Sequence, residues 1–93
     1  MEEFIPSELS LYPNYPNPFN PSTTISFSLP SSEIVKIKVY NLLGEEIAEI
    51  GDQIFSAGLN QVTFNANGLA SGIYLISIET KSTRLSQKIA LMK

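Results

Sequence analysis

The chain carries nine acidic side chains and neither cysteine nor histidine. Carboxylates are therefore the groups that could ligate a metal or move a proton. They are densest at Glu45, Glu46, Glu49 and Asp52. Calcium takes six to eight oxygens, usually from carboxylates at close, loop-like spacing. Here the acids fall partly on an alternating segment, so Glu46 is expected to face away from Glu45 and Glu49. No Asp-x-Asp pair or EF-hand spacing occurs. The group reads as a solvated strand face. Glycoside hydrolysis needs two carboxylates across a cleft, one with a raised pKa. A 93-residue chain with one Asp offers little material for such a cleft.

Other chemistries lack their parts. Without Cys or His there is no thiol nucleophile, no imidazole base and no zinc site of the usual ligand types. No disulfide framework is possible. Phosphate-cradling Gly loops, Gly-x-Ser-x-Gly elbows and Ser-x-x-Lys pairs are absent. Pro21 in Asn20-Pro21-Ser22 rules out N-glycosylation there. The chain is read as non-enzymatic and without cofactor. Its net charge of -3 and pI near 4.7 argue against nucleic-acid binding. No apolar run approaches the ~20 residues that span a bilayer, so no membrane insertion is expected.

Five rings, Tyr12, Tyr15, Phe19, Tyr40 and Tyr74, could form a platform for sugars. Trp is absent, and Tyr74 alternates with apolar positions. Tyr74 is therefore expected in the core, its hydroxyl bonded at an edge.

The elements that must position these residues are strands. Leu11 to Pro21 interleaves four prolines with Asn and aromatics. It cannot be helical, and its rings suggest that it packs on the domain. Ile25, Phe27 and Leu29 alternate with Thr24, Ser26 and Ser28, which predicts a half-buried strand. Val35, Ile37 and Val39 alternate with Lys36 and Lys38. Asn41 to Gly44 predicts a turn, Glu45 to Ile50 a return strand, and Gly51-Asp52-Gln53 the start of a loop. Helix competes over Leu42 to Ile50, but Gly44 and the short length weaken it. Ser56-Ala57-Gly58 is a turn, and Leu59 to Asn65 a strand. Ile73 to Thr80 follows, with Tyr74, Ile76 and Ile78 on one face. Lys81-Ser82-Thr83 predicts a hairpin tip. Arg84 to Met92 pairs back, with Leu85, Gln87, Ile89 and Leu91 on one face. Gly44, Gly58, Gly68 and Gly72 stand at strand boundaries.

The sum is an all-β, small antiparallel β-sandwich of about seven strands with an immunoglobulin-like look. Residues 1–10 read as a linker remnant, with Met1 a cloning start. Residues 11–93 read as one domain. No signal peptide opens the chain, so export would need a signal beyond it. Lys88-Ile89-Ala90-Leu91-Met92-Lys93 is the least bland stretch. A last strand at a sheet edge invites capture by strand addition. From periodicity alone, it more simply completes the sandwich.

Motif order then suggests a family. Leu11-Tyr12-Pro13-Asn14 leads into Tyr15-Pro16-Asn17-Pro18-Phe19-Asn20-Pro21. Val39-Tyr40-Asn41-Leu42-Leu43-Gly44-Glu45-Glu46-Ile47 follows, then Ala57-Gly58 before Val62-Thr63-Phe64. Leu69-Ala70-Ser71-Gly72-Ile73-Tyr74 comes next, and Gln87-Lys88-Ile89 runs into Leu91 and Lys93. In order and spacing the chain resembles the type A C-terminal sorting domain of the bacterial type IX secretion system, over about residues 11 to 93. Tyr-Pro-Asn-Pro-Phe-Asn-Pro is its most specific stretch. Gln87 stands where many members carry another Lys.

The resemblance implies an address on an N-terminally fused passenger. Partners would be the type IX translocon and, in some systems, a sortase. The sortase would cut around Glu2 to Ser10 and anchor the cargo at the surface. The path would be periplasm in transit, then cell surface or medium. It assigns Pro16, Asn17, Pro18 and Phe19 to an N-terminal motif. Gly72 and Tyr74 belong to a Gly-x-Tyr motif, and Gly44 is a motif residue of mainly structural role. Lys88 to Lys93 would be the part the translocon reads. The rival readings are an Ig-like spacer or adhesion module, a scaffold role and a sugar-binding module. Lys93 as the last residue fits the address.

Overall fold

The computed structural model describes residues 8–93. Most of the expected linker, residues 1 to 7, lies outside the described residues. The strands are β1 (Ser10–Leu11), β2 (Ser22–Leu29), β3 (Glu33–Tyr40), β4 (Glu46–Phe55), β5 (Gly58–Asn65), β6 (Gly72–Glu79) and β7 (Arg84–Leu91). One sheet runs β1-β2-β5 and the other β4-β3-β6-β7. Every pairing of these strands is antiparallel. The expected antiparallel sandwich is the architecture that forms.

Alternation explains the core. Ile25, Phe27 and Leu29 of β2 are fully buried against Val35, Ile37 and Val39 of β3 and Ile76 and Ile78 of β6. A period of two sends one face of each strand inward, and two such faces bury each other. Phe27 of one sheet meets Phe55 of the other edge-on, with ring centroids 5.1 Å apart. That geometry suits the aromatic quadrupole.

Two expectations for β4 need correction. Gly51, Asp52 and Gln53 do not open a loop; β4 runs through them to Phe55. Gly51 lies opposite Ile37, where an added Cβ would sit 3.2 Å from Ile37 Cδ1. The glycine marks a close approach within the strand. Nor does Glu46 face away from Glu49. The register shifts twice, between Ile37 and Lys38 and between Val39 and Tyr40. Each bulge inserts a residue, so acids spaced by three keep one face. Glu46, Glu49 and Asp52 lie opposite Tyr40, Lys38 and Lys36.

The turn at Asn41 to Gly44 is built by one side chain. Asn41 Oδ1 accepts from the amides of Leu43 at 2.9 Å and Glu45 at 3.0 Å. Its Nδ2 donates to Glu45 Oε1 at 2.8 Å, and Gly44 supplies the positive φ of 86° that closes the turn.

The proline segment between β1 and β2 closes one open side of the sandwich. Tyr15 bridges to Thr24 in the first sheet, and Phe19 bridges to Leu91 in the second. The peptide bonds before Pro16, Pro18 and Pro21 are cis.

Candidate functional site

The terminal strand divides by alternation into a buried and an exposed half. Ile89 and Leu91 are buried in the core, at 1% and 3% exposure. Lys88, Met92 and Lys93 are exposed, and Ala90 is half-buried. β7 is held on one side by β6, with Gly72 opposite Leu91 and Leu75 opposite Lys88. Gln87 turns its amide across the sandwich edge and donates to the Tyr12 carbonyl at 2.9 Å. The Lys93 amide donates to Ser71 Oγ at 3.0 Å.

The other side of β7 is partly covered. The Phe19 amide donates to the Ala90 carbonyl at 2.9 Å, and the Met92 amide donates to the Phe19 carbonyl at 2.9 Å. The Ala90 amide donates to Asn17 Oδ1 at 3.3 Å. Residues at opposite ends of the sequence thus form one unit. The Phe19 ring anchors it, at 2% exposure and 6.1 Å from Phe64. Pro16 and Pro18 set the extended course of this segment. The Pro16 carbonyl accepts from Thr23 Oγ1 at 2.9 Å and from Asn14 Nδ2 at 3.3 Å. Asn14 Nδ2 also donates to Thr23 Oγ1 at 2.9 Å. Asn14 and Thr23 are both buried, so this small network satisfies polar groups that would otherwise be costly.

The remaining motif residues gather at the same end of the four-stranded sheet. Gly72 opens β6 with a φ of 156°. Tyr74, at 9% exposure, donates its hydroxyl to the Ala70 carbonyl at 2.5 Å. This matches its expected core position with an edge-bonded hydroxyl. Gly44 sits in the turn beyond Tyr40, which lies opposite Leu75.

The five rings do not form a platform. Phe19 and Tyr74 are buried. Tyr12 and Tyr15 lie on the outer face of the three-stranded sheet, where Tyr12 shares a hydrogen bond with Ser28 Oγ. Tyr40 lies on the outer face of the other sheet, 5.6 Å beneath the Arg84 guanidinium.

Charge is unevenly spread over the four-stranded sheet. β4 and the turn before it carry Glu45, Glu46, Glu49 and Asp52 with no base. β7 and the tail carry Arg84, Lys88 and Lys93 with no acid. Lys38 Nζ lies 3.3 Å from Glu46 Oε1, and that hydrogen bond and charge hold its ammonium above the usual range. Arg84 is engaged by Ser77 Oγ at 3.1 Å and Glu79 Oε1 at 3.9 Å. Lys88 and Lys93 make no ion pair among the described residues. No group of three acidic side chains among the described residues is placed to hold a metal.

The sequence did not reveal the buried bond of Asn14 with Thr23 or the contact of Asn17 with Ala90. The buried pair had no signal of its own, since the residues between Asn14 and Thr23 alternate prolines with polar and aromatic residues. The Asn17 contact had none, since it spans nearly the whole chain.

The fold recurs in PorZ, an essential bacterial surface component of the type IX secretion system of the human oral bacterium Porphyromonas gingivalis. The two superpose with a TM-score of 0.66 at 21% identity, over 89% of this chain and 11% of PorZ. At that identity the likeness is one of fold, and the chain spans about a tenth of PorZ's length. No curated protein sequence matches the chain. The family model described as the secretion system C-terminal sorting domain matches residues 11–92, nearly the whole of the described sandwich. The chain belongs to that family, the C-terminal sorting domains of the type IX secretion system.

Proposed function

We propose that this domain is the export address of an N-terminally fused passenger, read by the type IX translocon at the outer membrane. The family match over residues 11–92 carries the reading. The geometry agrees with it. A sandwich whose motif residues converge on one end makes a handle. Lys88, Met92 and Lys93 are the exposed side chains of the terminal motif, so they are the ones a translocon could touch. Pro16, Asn17, Pro18, Phe19, Gly44, Gly72 and Tyr74 act by holding that strand and its end of the sheet in place. Where a sortase operates, its cut falls in or before the linker, around Glu2 to Ser10. A cut before Ser10 leaves the pairing of Ser10 with Ser28 intact. The cargo then reaches the cell surface or the medium.

The test is export of a periplasm-directed fluorescent reporter fused ahead of residues 1–93. It is run in a bacterium with a type IX system and in a matched strain lacking the translocon. Surface or medium fluorescence that vanishes in the second strain is expected. Reporter held in the periplasm of the intact strain, with the domain folded, would reject the address for that host.

A further inference from the structure

The terminal strand offers a partner two ways in, and the structure closes one of them at the strand's end. Strand addition needs free backbone groups along an edge. The Ala90 amide, the Ala90 carbonyl and the Met92 amide all face away from β6 and are occupied by Asn17 and Phe19. By antiparallel alternation, Ser86 and Lys88 turn their backbone groups to that same side, where no strand pairs with them. Arg84 does the same, so the outer edge of β7 is open from Arg84 to Lys88 and closed only at its end, at Ala90 and Met92.

The side-chain face at that end is different. Nine large apolar side chains are exposed among the described residues, and four of them lie at this end. Leu42 and Leu43 are 62% and 86% exposed in the turn beyond Tyr40. Ile73, opposite Ala90, is 41% exposed, and Met92 is 63% exposed. Lys88 and Lys93 stand beside them without an ion pair among the described residues. The acids at this end, Glu45 and Glu46, lie on the β4 side and are bonded to Asn41 and Lys38. An apolar patch with unpaired cations along one side calls for a complementary surface.

We infer that the partner reads this end of the closed four-stranded sheet through side chains, without adding a strand to β7. Its surface presents apolar residues to Leu42, Leu43, Ile73 and Met92, and carboxylates to Lys88 and Lys93. This rests on the address reading above and names the chemistry of its receptor. The cations orient the domain, because carboxylates placed against the β4 side would meet Glu45 and Glu46 instead. The segment from Asn17 to Phe19 braces the end of β7 beside that face.

The test uses the reporter fused to the full chain in the type IX host. Each domain is also purified and unfolded in urea. Lys88→Glu combined with Lys93→Glu should lower export about tenfold at an unchanged urea midpoint. Ile73→Asp should lower it as well. Lys36→Glu with Lys81→Glu, towards the other end of the sheet, should export like the parent. Ser86→Pro removes an edge amide that no strand uses, which edge strands tolerate. It should also export like the parent. Parental export by the Lys88/Lys93 variant overturns the inference while the address stands. So does loss of export by a folded Ser86→Pro domain, since that outcome means strand addition. A parent domain that is itself not exported fails the address reading, and this inference with it.

Discussion

The amide of Phe19 donates to the carbonyl of Ala90, and the carbonyl of Phe19 accepts from the amide of Met92, both at 2.9 Å. One residue near the start of the domain thereby occupies both groups of a parallel bridge on the last strand. Its ring is buried against Phe64, so backbone and side chain act together.

Phe19→Ala is therefore expected to do two things. Removing a fully buried phenyl costs about 3–5 kcal/mol in equilibrium urea unfolding. The Met92 amide should also exchange with solvent faster than the global unfolding rate allows, because its acceptor is no longer anchored. Asn17→Ala, by contrast, removes one exposed 3.3 Å hydrogen bond and should cost less than about 1 kcal/mol. Equal costs for the two variants would mean that the ring does not anchor the segment.

The network at Thr23 makes a second prediction. Thr23→Val keeps the shape and deletes the hydroxyl that accepts from Asn14 and donates to Pro16. The buried Asn14 amide and Pro16 carbonyl keep only their mutual 3.3 Å contact. The expected loss is about 1–3 kcal/mol. A melting curve equal to the parent's would show that water replaces the hydroxyl.

Much of this fold was legible because its strands alternate cleanly. Ile25, Phe27 and Leu29, or Tyr74, Ile76 and Ile78, announce their buried faces by period alone. β4 was legible only to Ile50. Gly51-Asp52-Gln53 has turn composition, and the bulges that keep the strand going depend on Ile37 and Tyr40 in the neighbouring strand. At the site, alternation already separated Ile89 and Leu91 from Lys88 and Met92. The bracing of Ala90 by Asn17 was not legible, because no local pattern encodes a contact between chain ends. The motif residues of that brace carry the family resemblance, and the geometry gives them a physical task.

Two glycines separate conformation from space. Gly72 has a φ of 156° with nothing within 4 Å of an added Cβ, so its demand is for backbone freedom. Gly72→Val should cost about 1–3 kcal/mol through strain alone. Gly51 has an ordinary φ, and an added Cβ meets the terminal methyl of Ile37 at 3.2 Å. Gly51→Ala should stay within about 1 kcal/mol of the parent, since lost chain entropy in the unfolded state offsets the crowding. Thermal melts of the pair check this, and the reverse order would contradict it.

The ion pair of Lys38 with Glu46 gives a pH dependence with a defined sign. Its ammonium has a folded pKa raised above 10.5. A raised cation pKa contributes stability that is fully present below the unfolded value and lost as pH rises through the folded one. The difference in urea midpoint between the parent and Glu46→Gln should thus be level from neutrality to about pH 9 and shrink above about pH 10.5. A difference that shrinks between pH 7 and 9 would assign the effect to another group.

The last prediction concerns how the address should be dissected. Truncation after Gln87 is the simplest test of a terminal signal, but Ile89 and Leu91 are core residues at 1% and 3% exposure. Removing them also strips Gly72 and Tyr74 of their cross-strand partners and Phe19 of both its backbone bonds. Each buried aliphatic lost costs about 2–5 kcal/mol, and a small domain has only about 5–15 to lose. The truncated chain should show no cooperative urea transition, so its failure to be exported would report an unfolded domain. Lys88→Glu changes an exposed side chain and should move stability by less than about 0.5 kcal/mol. Loss of export by that folded variant therefore reports recognition. If the truncated chain instead unfolds cooperatively near the parent midpoint, β7 is dispensable to the core, and truncation becomes a fair test of the address.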